Sequence, residues 1–217
     1  MFDRVAIRAS DARASARFYE LLLPTLGLPK SVDPSELAVV EASEQEPVTR
    51  GLHVGLLASS VEHIGAFWRA GVEAGYASDG EPGPRPEYSV DYYGAFLLDP
   101  DGNSVEAVLH GNRRNGGLID HVWIRVLNAS MTRRFYEMTA AQAAPAGGTV
   151  ANGGRAGTPG YALVADEPGL ARFRGPAGGS FTVVEGAQPT TGLDMTIGGA
   201  RFIDDDGRSL RLRSAVD

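Results

Sequence analysis

Four histidines, His53, His63, His110 and His121, are the only imidazoles in a chain that has no cysteine, so a transition metal here must be held by His, Asp or Glu. The missing thiols also exclude disulfides, iron–sulfur clusters and a cysteine nucleophile. Lys30 is the sole lysine and lies in no phosphate-loop motif, which removes Schiff-base chemistry and a Walker-type loop. The remaining 19 basic residues are arginines, scattered along a chain with 27 acidic residues and a net charge of −7. Without a basic patch to neutralise phosphates, nucleic acid is not an expected partner. At 217 residues, 43% hydrophobic and 22% charged, the composition is that of a globular protein with one large or two small domains. No apolar run reaches the roughly 20 residues of a membrane helix, and MFDRVAIRAS lacks the apolar stretch of a secretory signal. The expectation is a cytoplasmic protein that handles small molecules and does not enter membranes.

The elements that must position any site are repeated. FDRVAIRASDARASARFYE (Phe2 to Glu20) aligns without a gap, at an offset of 117, with IDHVWIRVLNASMTRRFYE (Ile119 to Glu137), and nine of the 19 positions are identical. DPDGNSVEAV (Asp99 to Val108) is echoed by DDDGRSLRLR (Asp204 to Arg213) at an offset of 105. The polar, glycine-rich HGNRRNGG (His110 to Gly117) separates the copies, giving expected domains 1–112 and 118–217, the second shortened by about a dozen residues. Each copy opens on an alternating strand and a helix. Val5, Ile7 and Ala9 lead to a cap at Ser10 or Asp11 and a stripe of Ala14, Phe18, Leu21 and Leu22, closed by Pro24. Val122, Ile124 and Val126 lead to a cap at Asn128 and a stripe of Met131, Phe135 and Met138. A second β-α unit runs from strand Leu52–Ala58 through a capping box beginning at Ser59 to a helix with Ile64, Phe67, Trp68 and Val72 inward. After it come a loop over Gly80–Pro86, a strand Tyr92–Leu98, a DPDG turn and a strand Ser104–Leu109. The second copy offers strand signals at Tyr161–Val164, Phe181–Val184, Leu193–Ile197 and Leu210–Leu212, with no clear second helix.

A strand opening on His-Val (His53-Val54, His121-Val122), a helix ending Phe-Tyr-Glu, and YYGAFLLDPDGNSVEAV (Tyr92 to Val108) together resemble the vicinal oxygen chelate superfamily, which includes glyoxalase I, bleomycin- and fosfomycin-resistance proteins and extradiol dioxygenases. The resemblance implies an α+β fold of tandem βαβββ modules whose sheets curl into two cups, here with the second half degenerate. It also implies a divalent ion held in a cup by two His (or Gln) and one Glu, with open positions for two neighbouring substrate oxygens. Carried over residue by residue, His53 and Glu106 match two ligands of the first half, whose opening strand has Arg4 in place of the third. The second half has His121 but Arg211 where a Glu belongs, and no His near Tyr161–Leu163. Exchange of modules between halves, as in the resistance proteins, joins His53, Glu106 and His121 into a 2-His-1-carboxylate set and leaves Arg4 facing Arg211.

Strand parity supports this allocation, because His121, His53 and Glu106 all alternate with the apolar residues that face the helices. Such donors suit one Fe, Mn, Co, Ni or Zn ion rather than Mg or Ca. Glu106 is also the candidate catalytic carboxylate, as ligand and as base when displaced. Tyr92, Tyr93, Trp123 and Arg125 are candidate substrate-binding residues, while His63 reads as a surface residue and His110 borders the linker. Taken singly, a strand histidine is more often a hydrogen-bonded structural residue, and it is the joint pattern that carries the reading. Two functions follow from the resemblance. One is a metal-dependent glyoxalase- or dioxygenase-type enzyme acting on a substrate with vicinal oxygens; the other is a metal-free drug- or metabolite-binding protein of the bleomycin-resistance type. One chain contains both halves of a cup, so a monomer suffices and a homodimer stays open.

Overall fold

Alternating apolar side chains build strands β1 (Phe2–Ala9), β3 (His53–Leu57), β6 (Ser104–Leu109) and β7 (Ile119–Val126), burying Val5 and Ile7, Val54 and Leu56, Val105 and Ala107, and Val122 and Ile124. The computed structural model describes residues 2–111, 116–142, 161–175, 178–197, 200–204 and 211–213. The remaining elements are α1 (Ala12–Leu22), β2 (Leu37–Glu41), α2 (Val61–Glu73), β4 (Ser78–Pro84), β5 (Tyr93–Leu98), α3 (Ala129–Gln142), β8 (Ala162–Glu167), β9 (Leu170–Arg174), β10 (Ser180–Glu185), β11 (Leu193–Ile197), β12 (Ala200–Asp204) and β13 (Arg211–Arg213). Among the described residues no helix is long and apolar enough to cross a membrane.

The strands form an α+β arrangement of two sheets. The larger has the order β4-β5-β6-β3-β7-β10-β9-β8 and the smaller β13-β12-β11-β1-β2. Two complete βαβββ modules, β3-α2-β4-β5-β6 and β7-α3-β8-β9-β10, make the larger sheet and meet where β3 runs antiparallel to β7. In each module the helical crossover lets the last strand return parallel to the first, β6 beside β3 and β10 beside β7. Val54, Leu56, Val105, Ala107, Val122, Ile124, Phe181 and Val183 cover one face of this sheet, packed with Ile64 and Phe67 of α2 and Tyr136 of α3. Each such buried side chain stabilises the fold by about 1.5–3 kcal/mol. The opposite face is left open as the cup.

Local features depart from the sequence expectations in instructive ways. Asp11 caps α1, its carboxylate accepting from the Ala14 amide, but the buried stripe is Ser15, Phe18, Tyr19 and Leu22, with Leu21 exposed. Ser60, one residue later than expected, caps α2 by accepting from the His63 amide, a contact worth about 1 kcal/mol. Val72 is exposed and Gly71 takes the buried place, because any Cβ there would meet Leu97 at 2.3 Å. On α3, Tyr136 is buried while Met131 is exposed; the side chain of Met138 lies outside the described residues. The expected Gly80–Pro86 loop overlaps β4, an edge strand whose register shifts twice, and its Gly/Pro content conceals it as a strand. Strands β2, β9 and β12 also went unforeseen.

The smaller sheet corrects the alignment of the second half. Thr49-Arg50-Gly51-Leu52, just before β3, matches Thr190-Thr191-Gly192-Leu193 at the start of β11, so His53 corresponds to Asp194 at an offset of 141. The position equivalent to His53 is therefore not near Tyr161–Leu163. The offset rises from 117 to 141 and then falls to 105, so the second half is longer before β11 and loses the stretch in which the first half has α2. Without a crossover helix β11, β12 and β13 follow one another as an antiparallel meander, since a parallel return needs a dozen or more residues of connection. Arg211 consequently lies on edge strand β13, three strands from β1 and Arg4, and the two do not share the juxtaposition expected for them; the Arg211 side chain lies outside the described residues.

Candidate metal centre

The adjacent strands β6, β3 and β7 bring together Glu106, His53 and His121. Gly55 of β3 is in register with Glu106 on one side and His121 on the other, and His53 is two residues earlier on the same face. Nothing larger than glycine fits at the midpoint: a Cβ on Gly55 would lie 2.2 Å from His121 Cε1, and one on Gly94 of β5 would lie 2.3 Å from Glu106 Oε1. The three donor atoms form a nearly equilateral triangle. His53 Nε2 and His121 Nε2 are each 3.2 Å from Glu106 Oε2 and 3.1 Å from one another. Glu106 and His121 are buried; the His53 side chain is 20% exposed and opens onto the cavity.

The surrounding hydrogen bonds aim these donors inward. Ser104 Oγ donates to Asp79 Oδ2 at 2.7 Å, so it accepts from His53 Nδ1 at 3.2 Å. Asp120 Oδ2 accepts from His121 Nδ1 and from His110 Nε2, both at 3.0 Å. With both Nδ1 protons committed outward, both Nε2 lone pairs converge on a carboxylate, an arrangement that requires a cation or a shared proton at its centre. Glu106 Oε1 is buried with no hydrogen-bond partner, and Tyr92 donates its hydroxyl to Oε2 at 3.1 Å. Ligands about 2.1 Å from one ion lie roughly 3.0–3.4 Å apart for angles between a right angle and the tetrahedral value, which the triangle matches. The donor set therefore fits a divalent transition metal.

Electrostatics agree with the hydrogen bonds. Burial lowers the affinity of His121 for a proton, but the hydrogen bonds and charges of Asp120 and Glu106 outweigh it and raise its pKa to about 9. Burial depresses the His53 pKa more than Glu106 restores it. For Glu106 burial acts upward, yet the hydrogen bonds and charge that His121 and His53 supply when protonated hold the carboxyl below its ordinary range. Asp120 is held low in the same way by His110 and His121. Tyr92 is pushed far up by burial and then by the Glu106 charge, so its hydroxyl keeps its proton at any physiological pH.

A cavity of about 800 Å³ lies over the triad. Trp123 stands edge-on to His53 at 6.2 Å, Tyr88 contacts both Trp123 and Tyr92, and Phe96 borders His53 at 6.0 Å. Tyr92 stacks on His110 at 5.3 Å and 2°. Of the residues expected to bind substrate, Tyr92, Trp123 and Arg125 line this cavity. Tyr93 does not: within β5 it shares parity with Ala95 and Leu97 rather than with Phe96, and it packs on the core. His63 is not a free surface residue either, since its ring bonds Ser60 Oγ and fills the space over Gly27.

Sequence reasoning missed Asp79, Ser104, Tyr88 and Phe96 at the site, as well as the roles of Gly55, Gly94 and Asp120. Phe96 reaches the site through the register of β5, in which it opposes Glu106. The D-P-D-G-N motif proves to be structural. Asp99 Oδ1 accepts from the Asp101 and Asn103 amides, while the Asn103 side chain accepts from Leu52 N and donates to Thr49 O. These bonds tie the start of β6 to that of β3 and so set Glu106 beside His53.

Comparison with known proteins identifies the family. Residues 1–107 match the family model described as Glyoxalase/Bleomycin resistance protein/Dioxygenase superfamily. A glyoxalase/bleomycin resistance protein from Albidiferax ferrireducens T118 is 33% identical over 50% of this chain and 98% of its own, with a TM-score of 0.43. Glyoxalase I from Zea mays is 14% identical over 89% of this chain and 71% of its own, with a TM-score of 0.55, a likeness of fold. No curated protein matches. The chain belongs to the glyoxalase/bleomycin resistance protein/dioxygenase superfamily, the vicinal oxygen chelate group.

Proposed function

We propose that this chain is a divalent-metal-dependent enzyme of the glyoxalase/dioxygenase type, with one active site built from β3 and β6 of residues 1–112 and β7 of residues 118–217. The observation that carries the reading is the convergence of the His53, Glu106 and His121 donor atoms within 3.2 Å while both Nδ1 atoms are tied elsewhere. A divalent transition ion held by these three residues supplies Lewis acidity to two adjacent oxygens of a small substrate. The protein does the rest. Asp120 and Ser104 keep the imidazoles in the ligating tautomer, and Tyr92 holds its proton on Glu106 Oε2, restraining that carboxylate. Glu106, buried between the two imidazoles, would serve as the base if displaced from the ion. Trp123, Tyr88 and Phe96 exclude water and hold the apolar part of the ligand. Because one chain carries all three ligands, a monomer suffices.

The test is metal content. Purified protein dialysed against Fe(II), Mn(II), Co(II), Ni(II) or Zn(II) is expected to retain about one equivalent of at least one of them, lost on His53→Ala and on His121→Ala. Absence of uptake from all five overturns the reading. It favours the second one, a metal-free small-molecule binding protein, for which the raised His121 pKa is the supporting observation: a proton on that imidazole satisfies the triad without an ion.

A further inference from the structure

Two rows of residues cross the cup from the triad to β9. In one, His53 is in register with Trp123, Trp123 with Thr182, and Thr182 with Arg172. In the other, Gly55, between Glu106 and His121, is followed by Ser180 and then Arg174. Both rows end on an arginine. On β9 the alternation is strict, Ala171 and Phe173 being buried against the core while Arg172 and Arg174 face the cavity, where Arg125 of β7 joins them.

These guanidiniums are held but not neutralised. Arg172 donates from Nε to Thr182 Oγ1 at 3.0 Å and lies over the Trp123 ring at 5.5 Å. The Arg125 guanidinium contacts the Gly51 carbonyl at 3.5 Å. Among the described residues no carboxylate lies within 4.0 Å of Arg125, Arg172 or Arg174, in a chain whose acids outnumber its bases by 27 to 20. The opposite wall carries both signs, Asp79 and Glu87 with Arg85 between them, so the cavity's unneutralised positive charge is concentrated at β9 and Arg125. With strands about 4.8 Å apart, β9 lies roughly 14 Å from β3, a span shortened by the inward reach of the arginines.

We propose that this cup takes a substrate with an oxyanion at its far end, a carboxylate or phosphate, gripped by Arg172 and Arg174 with Arg125 beside them, three strands from the triad. The intervening Trp123 makes an aromatic or otherwise flat midsection the natural fit. The orientation of such a substrate, vicinal oxygens at His53, Glu106 and His121 and anion at β9, rests on the metal-centred reading above; the anion subsite does not.

The metal-free protein is titrated with 3-phenylpropanoate and with 3-phenylpropanamide by calorimetry. The carboxylate is expected to bind at least about tenfold more tightly, as charge-assisted paired hydrogen bonds require. Arg172→Gln with Arg174→Gln is expected to abolish that preference while leaving metal uptake at the wild-type level. Arg125→Gln, alone and on the rim, is expected to reduce it partially and guards against a double variant that fails to fold. Equal binding of acid and amide by the wild type, or a preference that survives the double substitution, overturns the subsite. A preference in a protein that takes up no metal supports the subsite and sinks the metal-centred reading; metal uptake without a preference does the reverse. With metal bound, 3-(3,4-dihydroxyphenyl)propanoate compared with its methyl ester reports the orientation, and an equal affinity for the two counts against it.

Discussion

The two sheets share a frame and differ in what they enclose. At the seam of one half the Arg8 amide donates to Thr49 Oγ1, which in turn donates to the Gly192 carbonyl; at the other the Arg125 amide donates to Thr190 Oγ1, which donates to the Gly51 carbonyl. Arg4 pairs with Thr196 in the smaller sheet as His121 pairs with Gly55 in the larger. On that shared backbone the smaller sheet carries Asp194 where the larger has His53, and Arg8 closes on Asp194 at 3.4 Å, almost wholly buried. Its counterpart Arg125 has a histidine in place of that aspartate and stays open to the cavity. In one cup Arg8 and Asp194 neutralise each other, and in the other three donors converge and, among the described residues, three guanidiniums have no carboxylate within 4.0 Å. The missing crossover helix and a few substitutions, Asp194 for His53 and Arg4 for His121, separate the smaller cup from the larger.

The comparison breaks most sharply at the ligands. Replacing Glu106 with Gln is expected to take metal occupancy from one equivalent to undetectable after dialysis, read by elemental analysis, while Asp194→Asn leaves occupancy unchanged. In the smaller sheet Arg8→Ala removes a buried guanidinium from beside the Asp194 carboxylate and should cost about 3–5 kcal/mol in urea unfolding with metal uptake intact. A pH series sharpens the contrast. In the metal-free protein the His121 pKa stands at about 9 against an ordinary 6.5, so protonated His121 contributes on the order of 3 kcal/mol, fully present below pH 6.5 and lost as pH rises through about 9. That loss should vanish in His121→Ala, as followed by urea midpoints. Asp120→Asn removes the acceptor that orients His121 and is expected to weaken metal binding by about 10–100-fold in competition with a chelator. The smallest effects test the register. Gly55→Ala must displace the His121 ring and lower metal affinity, whereas Thr196→Ala at the matching place should stay within about 0.5 kcal/mol of wild type.

How much of this was legible depends on how local the cause was. The opening strands, α1 and α2, β6 and the ligand candidates rest on alternation, caps and motifs, all short-range patterns. The exact stripes of the helices were not, since Ser15 and Tyr136 are buried by what packs on them and not by their own hydropathy. β9 was visible in principle, for LARFR alternates cleanly, but its five residues sit between turns with no motif to mark them. Tyr93 was misplaced because two adjacent tyrosines cannot both face the cup, and only the register of β5 on β6 says which one does.

The amino-acid order alone determined that no thiol or lysine chemistry is available, that the chain repeats itself, and that His53, Glu106 and His121 point away from the helix-covered faces, because composition and side-chain alternation are local properties. Which strands lie side by side was a tertiary matter. Placing β7 against β3 sets a histidine 68 residues from its partner within 3.1 Å of it, and the loss of a crossover helix in the second half forces an antiparallel return of β12 on β11. Both outcomes follow from how backbone hydrogen bonds must be satisfied between segments distant in the chain, which no window of sequence contains.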